Sequence, residues 1–128
     1  MTRQLVGRAA GSVYRDAGTP YLERLFVADT WWTRFRGLQF VPELPEDTGL
    51  ILVGCRSVHT FWMRFPIHVI FLDAQRQVLE CRPAVPPWRA VLPRCQGVDS
   101  VLEVAAGTEI PEIGERLAFD LGPPVTGH

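Results

Sequence analysis

The longest apolar stretches of this chain, residues 50–55 and 67–72, are short, and Pro, Gly or charged side chains interrupt or flank both. Runs of that length fall far below the ~20 residues that span a bilayer. They also favour strands over long helices, because a strand needs only four to eight residues. Residues 21–27, 50–55, 59–64, 67–73 and 77–82 read as short strands separated by small turns, with residues 99–104 and 115–119 as the last two. Asp73-Ala74-Gln75-Arg76 supplies the turn chemistry for a hairpin between two of them. Before residue 27 the chain reads as two extended segments, with a turn signal at Asp16-Ala17-Gly18-Thr19-Pro20.

One stretch has a different period. Ala28, Trp31, Trp32, Phe35 and Leu38 recur at helical spacing, with Asp29 or Thr30 able to cap the start and Gly37 near the end. This predicts a short amphipathic helix whose outer side carries Thr33, Arg34 and Arg36. Residues 41–49 then read as a rigid loop. Residues 83–96 hold Pro83, Pro86, Pro87 and Pro93 around Trp88-Arg89, which predicts an irregular surface loop rather than a central strand. The fold class expected is mainly β (α+β): a small antiparallel β-barrel-like meander with the helix covering one end.

The 128 residues fit one domain, expected over residues 1–121 with residues 122–128 as a flexible tail. A chain of this length buries enough surface to fold without a disulfide or structural metal. The formal charge of −1, from 13 basic and 14 acidic residues in no single-sign block, lacks the footprint of a nucleic-acid binder. Every basic residue is Arg, which excludes a Lys nucleophile or Schiff base. The N-terminal residues carry no apolar core of the secretory type, so a cytoplasmic location is expected, with no membrane anchor. Cys55, Cys81 and Cys95 form no C-x-x-C pair and read as reduced thiols, although Cys81 and Cys95 flank the Pro-rich segment and a bridge there is conceivable.

Three ordered segments carry a family resemblance. They are Ala28-Asp29-Thr30 leading to Arg34-Phe35-Arg36-Gly37-Leu38, His59-Thr60-Phe61-Trp62-Met63-Arg64-Phe65-Pro66-Ile67 running to Phe71-Leu72-Asp73, and Val101-Leu102-Glu103-Val104-Ala105-Ala106-Gly107. Together they resemble the domain-of-unknown-function 192 family over roughly residues 23–119. The resemblance implies a small β-barrel-like fold and brings no agreed activity, cofactor or substrate. Three positions depart from the family pattern: Gln39 stands where Met is usual, Val41 where a basic residue is common, and His68 where Asp typically follows Pro-Ile.

Four constellations could carry chemistry. His59 and His68 could present two imidazoles to one metal if a turn at Phe65-Pro66 laid their strands side by side, with Cys55, Asp73 or Glu103 as a third ligand. Cys55 and His59 lie about 13 Å apart along an extended strand, too far to share a zinc or act as a nucleophilic pair. Cys81 with His68 across the hairpin is the other thiol option. Glu103 interrupts an apolar run and would need a partner if buried, an Arg being the obvious one. Arg34 on the helix, with Thr60, Trp62 and Arg64 on one face of a strand, would offer an aromatic wall and two guanidinium groups to an anionic or planar polar ligand.

The reading that follows is a non-catalytic binding or interaction module for a small polar or anionic ligand or a protein partner. Its ligand-binding residues are Arg34, His59, Thr60, Trp62, Arg64 and Glu103, and it uses no cofactor. The loop with Trp88 joins this face. The alternative is a metal-assisted hydrolase using His59, His68 and a carboxylate.

Overall fold

A computed structural model describes residues 8–16, 18–28 and 43–120. The segment expected to form the amphipathic helix, the Arg34 that it would carry and the expected tail at 122–128 lie outside these residues.

The described chain is mainly β. Seven strands build one sheet: β1 (Arg8–Tyr14), β2 (Pro20–Ala28), β3 (Thr48–Val53), β5 (Ile67–Leu72), β6 (Val78–Val85), β8 (Ser100–Ala105) and β9 (Ala118–Asp120). Their spatial order is β6-β5-β8-β3-β2-β1-β9. Two short strands, β4 (Val58–His59) and β7 (Ala90–Val91), pair separately as an antiparallel ribbon.

Two features of this order correct the expected meander. First, β2 and β3 are parallel, with Phe26 opposite Leu50, so a long crossover joins them where a hairpin cannot. Second, the sheet is not closed into a barrel. Its edge strands β6 and β9 are not neighbours. The segment leading into β9 touches the start of β6 instead, through the isolated bridge Gln77–Arg116 and the bonds Val78 N to Glu115 O at 2.8 Å and Gly114 N to Val78 O at 2.7 Å.

The period-2 rule sorts the central strands into two buried faces. Leu50, Leu52, Ile67, Val69, Phe71, Val101 and Ala105 share one cluster with Val58, Met63 and Val91, so the β4–β7 ribbon and its turn cover that face. Ile51, Ile70, Leu72, Leu102 and Val104 share the other with Val13, Leu22, Leu25, Val78 and Leu117. Side chains from both ends of the sheet meet in that second cluster, which makes it the inside of a strongly curled sheet.

Gly49 marks how closely the curl is packed. A Cβ added there would sit 2.7 Å from Leu22 Cδ1 and 3.2 Å from Leu102 Cδ1. Gly49→Ala is therefore expected to cost about 1–3 kcal/mol through overpacking, read as a lowered urea midpoint with unchanged m-value; an unshifted midpoint would refute this account of the packing.

The hairpin expected at residues 73–76 forms, and Asp73 Oδ1 fixes it by accepting from Gln75 N at 2.8 Å and Gln77 N at 2.9 Å. Pro83 lies inside β6 rather than in a loop. The correction has a simple cause: β6 is an edge strand, where a missing N–H costs no ladder bond. The strand expected over residues 59–64 is absent. β4 ends at His59, and Trp62 takes a left-handed backbone with φ 67° that no ladder accommodates.

Candidate binding face

Thr60 organises the region where that strand was expected. Its side chain is fully buried, and its hydroxyl accepts from Arg89 N at 2.8 Å while donating to Pro86 O at 2.7 Å. The backbone adds three more bonds: Thr60 N to Arg89 O at 2.7 Å, Trp88 N to Thr60 O at 3.0 Å and Met63 N to Thr60 O at 3.2 Å. One residue thus staples the 86–89 loop onto the turn after β4. The far end of the same loop is held by Glu80 and Arg82. Glu80 accepts from Arg94 N at 2.8 Å, and Arg82 Nη2 donates to Leu92 O at 2.7 Å. Residues 86–94, between the end of β6 and the Arg94 amide, are therefore a braced display segment.

What the two loops display is aromatic. The His59 and Phe61 rings stack at 4.8 Å, Phe61 and Trp88 at 5.8 Å, and Trp62 meets Trp88 edge-on at 4.8 Å. Trp62 is 53% and Trp88 52% exposed, far above what core tryptophans show. Both adopt left-handed backbone, with φ 67° and 68°. For a bulky L residue that region costs about 1–2 kcal/mol. Two adjoining loops thus accept strain at the very residues whose rings face water.

The charge around these rings is one-sided. Residues 49–72 and 81–98, which build the face, contain no Asp or Glu. They carry Arg56, Arg64, Arg89 and Arg94, all exposed and none ion-paired to a described carboxylate.

The residues singled out from the sequence are only partly brought together. His59, Thr60 and Trp62 belong to this face, though not as one strand face: Thr60 is buried and structural, and Trp62 turns outward beside it. Arg64 is exposed two residues beyond Trp62. Phe61 and Arg89 were not singled out as site residues, whereas the loop with Trp88 was expected to join the face; a Trp directly after Pro86-Pro87 was the available signal.

Glu103 stands apart. It is 2% exposed on the sheet face that carries Val101 and Ala105, opposite Leu50 on β3 and Val69 on β5. Its Oε1 has no hydrogen-bond partner. Burial pushes its carboxyl up to about 8, so it is largely protonated at neutral pH, and the expected Arg partner is absent among the described residues.

His68 points to the opposite face, buried, with Nδ1 accepting from Ala84 N at 2.9 Å. His59 Nδ1 accepts from Phe61 N at 3.3 Å. The two imidazoles thus serve separate backbone amides, and the described residues contain no group of three or more His, Cys, Asp or Glu placed to hold a metal. Cys55, Cys81 and Cys95 are thiols, not a bridge. Burial raises the Cys81 thiol to about 11, which leaves almost no thiolate for the Cys81–His68 option.

Two clefts elsewhere share Arg15 in their lining. Arg15 forms a bidentate pair with Glu115, through Nε to Oε2 at 2.8 Å and Nη2 to Oε1 at 2.7 Å, and also contacts Glu109. That pairing holds the Glu115 carboxyl down at about 2. The charge there is spent internally, so neither cleft competes with the aromatic face.

The sequence profile of the domain-of-unknown-function 192 family, described as an uncharacterized ACR, matches residues 14–112. The chain belongs to this family. Its match starts earlier and stops earlier than the 23–119 read from motifs, and it contains every described residue of the aromatic face. A UPF0127 protein of Thermococcus sibiricus is 34% identical over 120 residues, 85% of this chain and 74% of that protein. A UPF0127 protein of Thermococcus kodakarensis is 32% identical over 81 residues, which is 60% of this chain and about half, 51%, of the relative.

Two solved structures share the family fold. A protein of unknown function from Novosphingobium aromaticivorans superposes with a TM-score of 0.75 at 17% identity, over 93% of this chain and 91% of that one. A Sinorhizobium meliloti protein described as a candidate transcription regulator gives 0.76 at 20% identity, over 91% of this chain and 97% of that one. At such identities the likeness shows the fold alone. Among the described residues no helix is long and apolar enough to cross a membrane.

Proposed function

We propose that this protein is a non-catalytic recognition module and that its recognition surface is the face formed by Phe61, Trp62 and Trp88 with the surrounding arginines. The partner is anionic: a ring-bearing small anion or the acidic surface of a larger partner. Arg supplies forked donors for carboxylate or phosphate, and Trp supplies stacking area.

The observation that carries this reading is the paired left-handed tryptophans, half exposed on braced loops. Arg76 and Ala84 also take left-handed backbone, so what sets these two positions apart is that each pairs that backbone, which Gly adopts most readily, with a large ring turned toward solvent. Retaining the largest side chain there, turned toward solvent, fits a surface kept for contact.

The same logic supplies the test. Trp62→Gly with Trp88→Gly removes the rings while relaxing the backbone, so stability is expected to stay within about 1 kcal/mol of the native protein. The probe is anilinonaphthalene sulfonate, a ring-bearing anion, titrated by fluorescence. Its affinity is expected to fall at least about tenfold in the double variant. Undiminished dye binding by a folded double variant would refute the assignment.

A further inference from the structure

Four of the five large hydrophobic side chains exposed among the described residues, Phe61, Trp62, Trp88 and Leu92, lie on the two loops of the recognition face or directly after the strand β7 that follows the second of them. The fifth, Ile113, is elsewhere, near the Arg15 cleft. Leu92 is 66% exposed and directly follows Val91, which pairs with Val58 in the β4–β7 ribbon. These apolar groups thus form one set flanking the β4–β7 ribbon. Its composition is specific: two tryptophans, a phenylalanine and a leucine, interleaved with arginines and with no carboxylate in either contributing segment.

We infer that this face docks the protein onto an anionic lipid surface, with Trp62, Trp88, Phe61 and Leu92 entering the headgroup region and Arg56, Arg64, Arg89 and Arg94 contacting lipid phosphates. This rests on the recognition reading above and names its partner. Tryptophan is favoured at the boundary between headgroups and acyl chains because its ring is apolar while its indole N–H still finds a partner there. Arginine near an anionic leaflet gains from the negative surface potential. Each group alone binds weakly, and surface association becomes stable where insertion and charge act together.

The geometry meets that requirement. Arg64 and Arg89 are exposed on the same two loops as the rings, with Arg56 and Arg94 exposed just before β4 and just after β7, so both kinds of contact are offered by neighbouring segments. The neighbouring structure supplies rigidity. Thr60 fixes one end of the display loop and the Glu80–Arg82 pair fixes the other, so little loop ordering is required on docking. Glu109, Glu112 and Glu115 are grouped around the Arg15 cleft, outside the two segments that build the face. A surface-docked protein needs no spanning segment, so the short apolar runs of the sequence are compatible with this role.

The experiment is sedimentation of the full chain with vesicles of phosphatidylcholine alone and of equal parts phosphatidylcholine and phosphatidylglycerol, at low salt and at about 0.5 M salt. The native protein is expected to bind the anionic vesicles at low salt and to bind the neutral ones at least about tenfold more weakly. High salt is expected to release most of it. Arg64→Glu with Arg89→Glu, both exposed positions that leave the core untouched, is expected to lower anionic-vesicle affinity at least about tenfold. Trp62→Gly with Trp88→Gly is expected to do the same, and a charge-only interaction would not produce that result. Failure of the native protein to sediment with anionic vesicles overturns the lipid assignment, as does indifference to either double variant. If vesicle binding fails while dye binding still depends on the tryptophans, the lipid assignment is overturned and the recognition face stands, with a small anion or an acidic protein surface as its partner. If both fail, the recognition reading falls with it.

Discussion

Glu103→Gln is expected to stabilise the protein at pH 7 by about 3 kcal/mol and to flatten its stability between pH 5 and 8. The carboxyl sits on the central strand β8 among Leu50, Val69, Val101 and Ala105, 2% exposed, with Oε1 unpartnered. Desolvation raises its pKa from 4.5 to about 8. A group that holds its proton more tightly when folded contributes fully below its unfolded pKa. That contribution is then lost as the pH climbs, because the unfolded chain ionises and the folded one does not. The loss begins near pH 4.5 and continues to about 8, at about 1.4 kcal/mol per pH unit.

Gln cannot ionise in either state, so its profile lacks this slope. Glu103→Met, of similar length and without polar atoms, makes the same comparison free of any new donor. The measurement is the urea midpoint at pH 5 and pH 7 for the three proteins. The native protein should lose stability between the two, and the variants should hold level. A variant profile running parallel to the native one would show that Glu103 is not the group responsible. Such a carboxyl also identifies β8 as the strand where the fold accepts a cost that Leu would avoid.

Much of the sheet was legible because its strands are short runs rich in β-branched and aromatic side chains. The expected strand at residues 67–73 became Ile67–Leu72, that at 50–55 became Thr48–Val53, and that at 99–104 became Ser100–Ala105. Each is buried on both faces, so tertiary packing agrees with local propensity. The order of strands was not legible in that way. A parallel pair such as β2–β3 needs a long connection in place of a hairpin, and no residue within either strand encodes that pairing.

The stretch 59–64 failed for a different reason. His59-Thr60-Phe61-Trp62-Met63-Arg64 has strong strand propensity, yet its backbone partners are the loop at 86–89 rather than a ladder. Propensity reports how a side chain fits a pleated surface. It does not report that Thr60 will donate and accept with a loop 26 to 29 residues away. The same substitution of partners is what turned a supposed strand face into a display surface, so the error in fold and the error in site have one origin. Glu103 was flagged correctly as an interruption, but an Arg partner was the ordinary outcome and an orphaned carboxyl was not.

Thr60→Val tests whether that single residue holds the face together. Valine matches the shape of threonine and replaces the hydroxyl by a methyl group. The Arg89 N–H at 2.8 Å and the Pro86 carbonyl at 2.7 Å lose their shared partner. Each abandoned group costs about 1–3 kcal/mol, which together gives roughly 2–6 kcal/mol and a drop in Tm of roughly 10–20 °C. The effect is also local. With the staple cut, the Arg89 amide is expected to exchange with solvent far faster than amides of β5, and Trp88 loses the position that brings it against Trp62. Dye binding should therefore weaken even at temperatures where the sheet is intact. Thr60→Ser keeps the hydroxyl and should retain both loop position and binding, at a cost of about 1 kcal/mol for the lost methyl group. If Val and Ser behaved alike, the side-chain hydroxyl would not be the staple, and the backbone bonds of Thr60 alone would be holding the display loop in place.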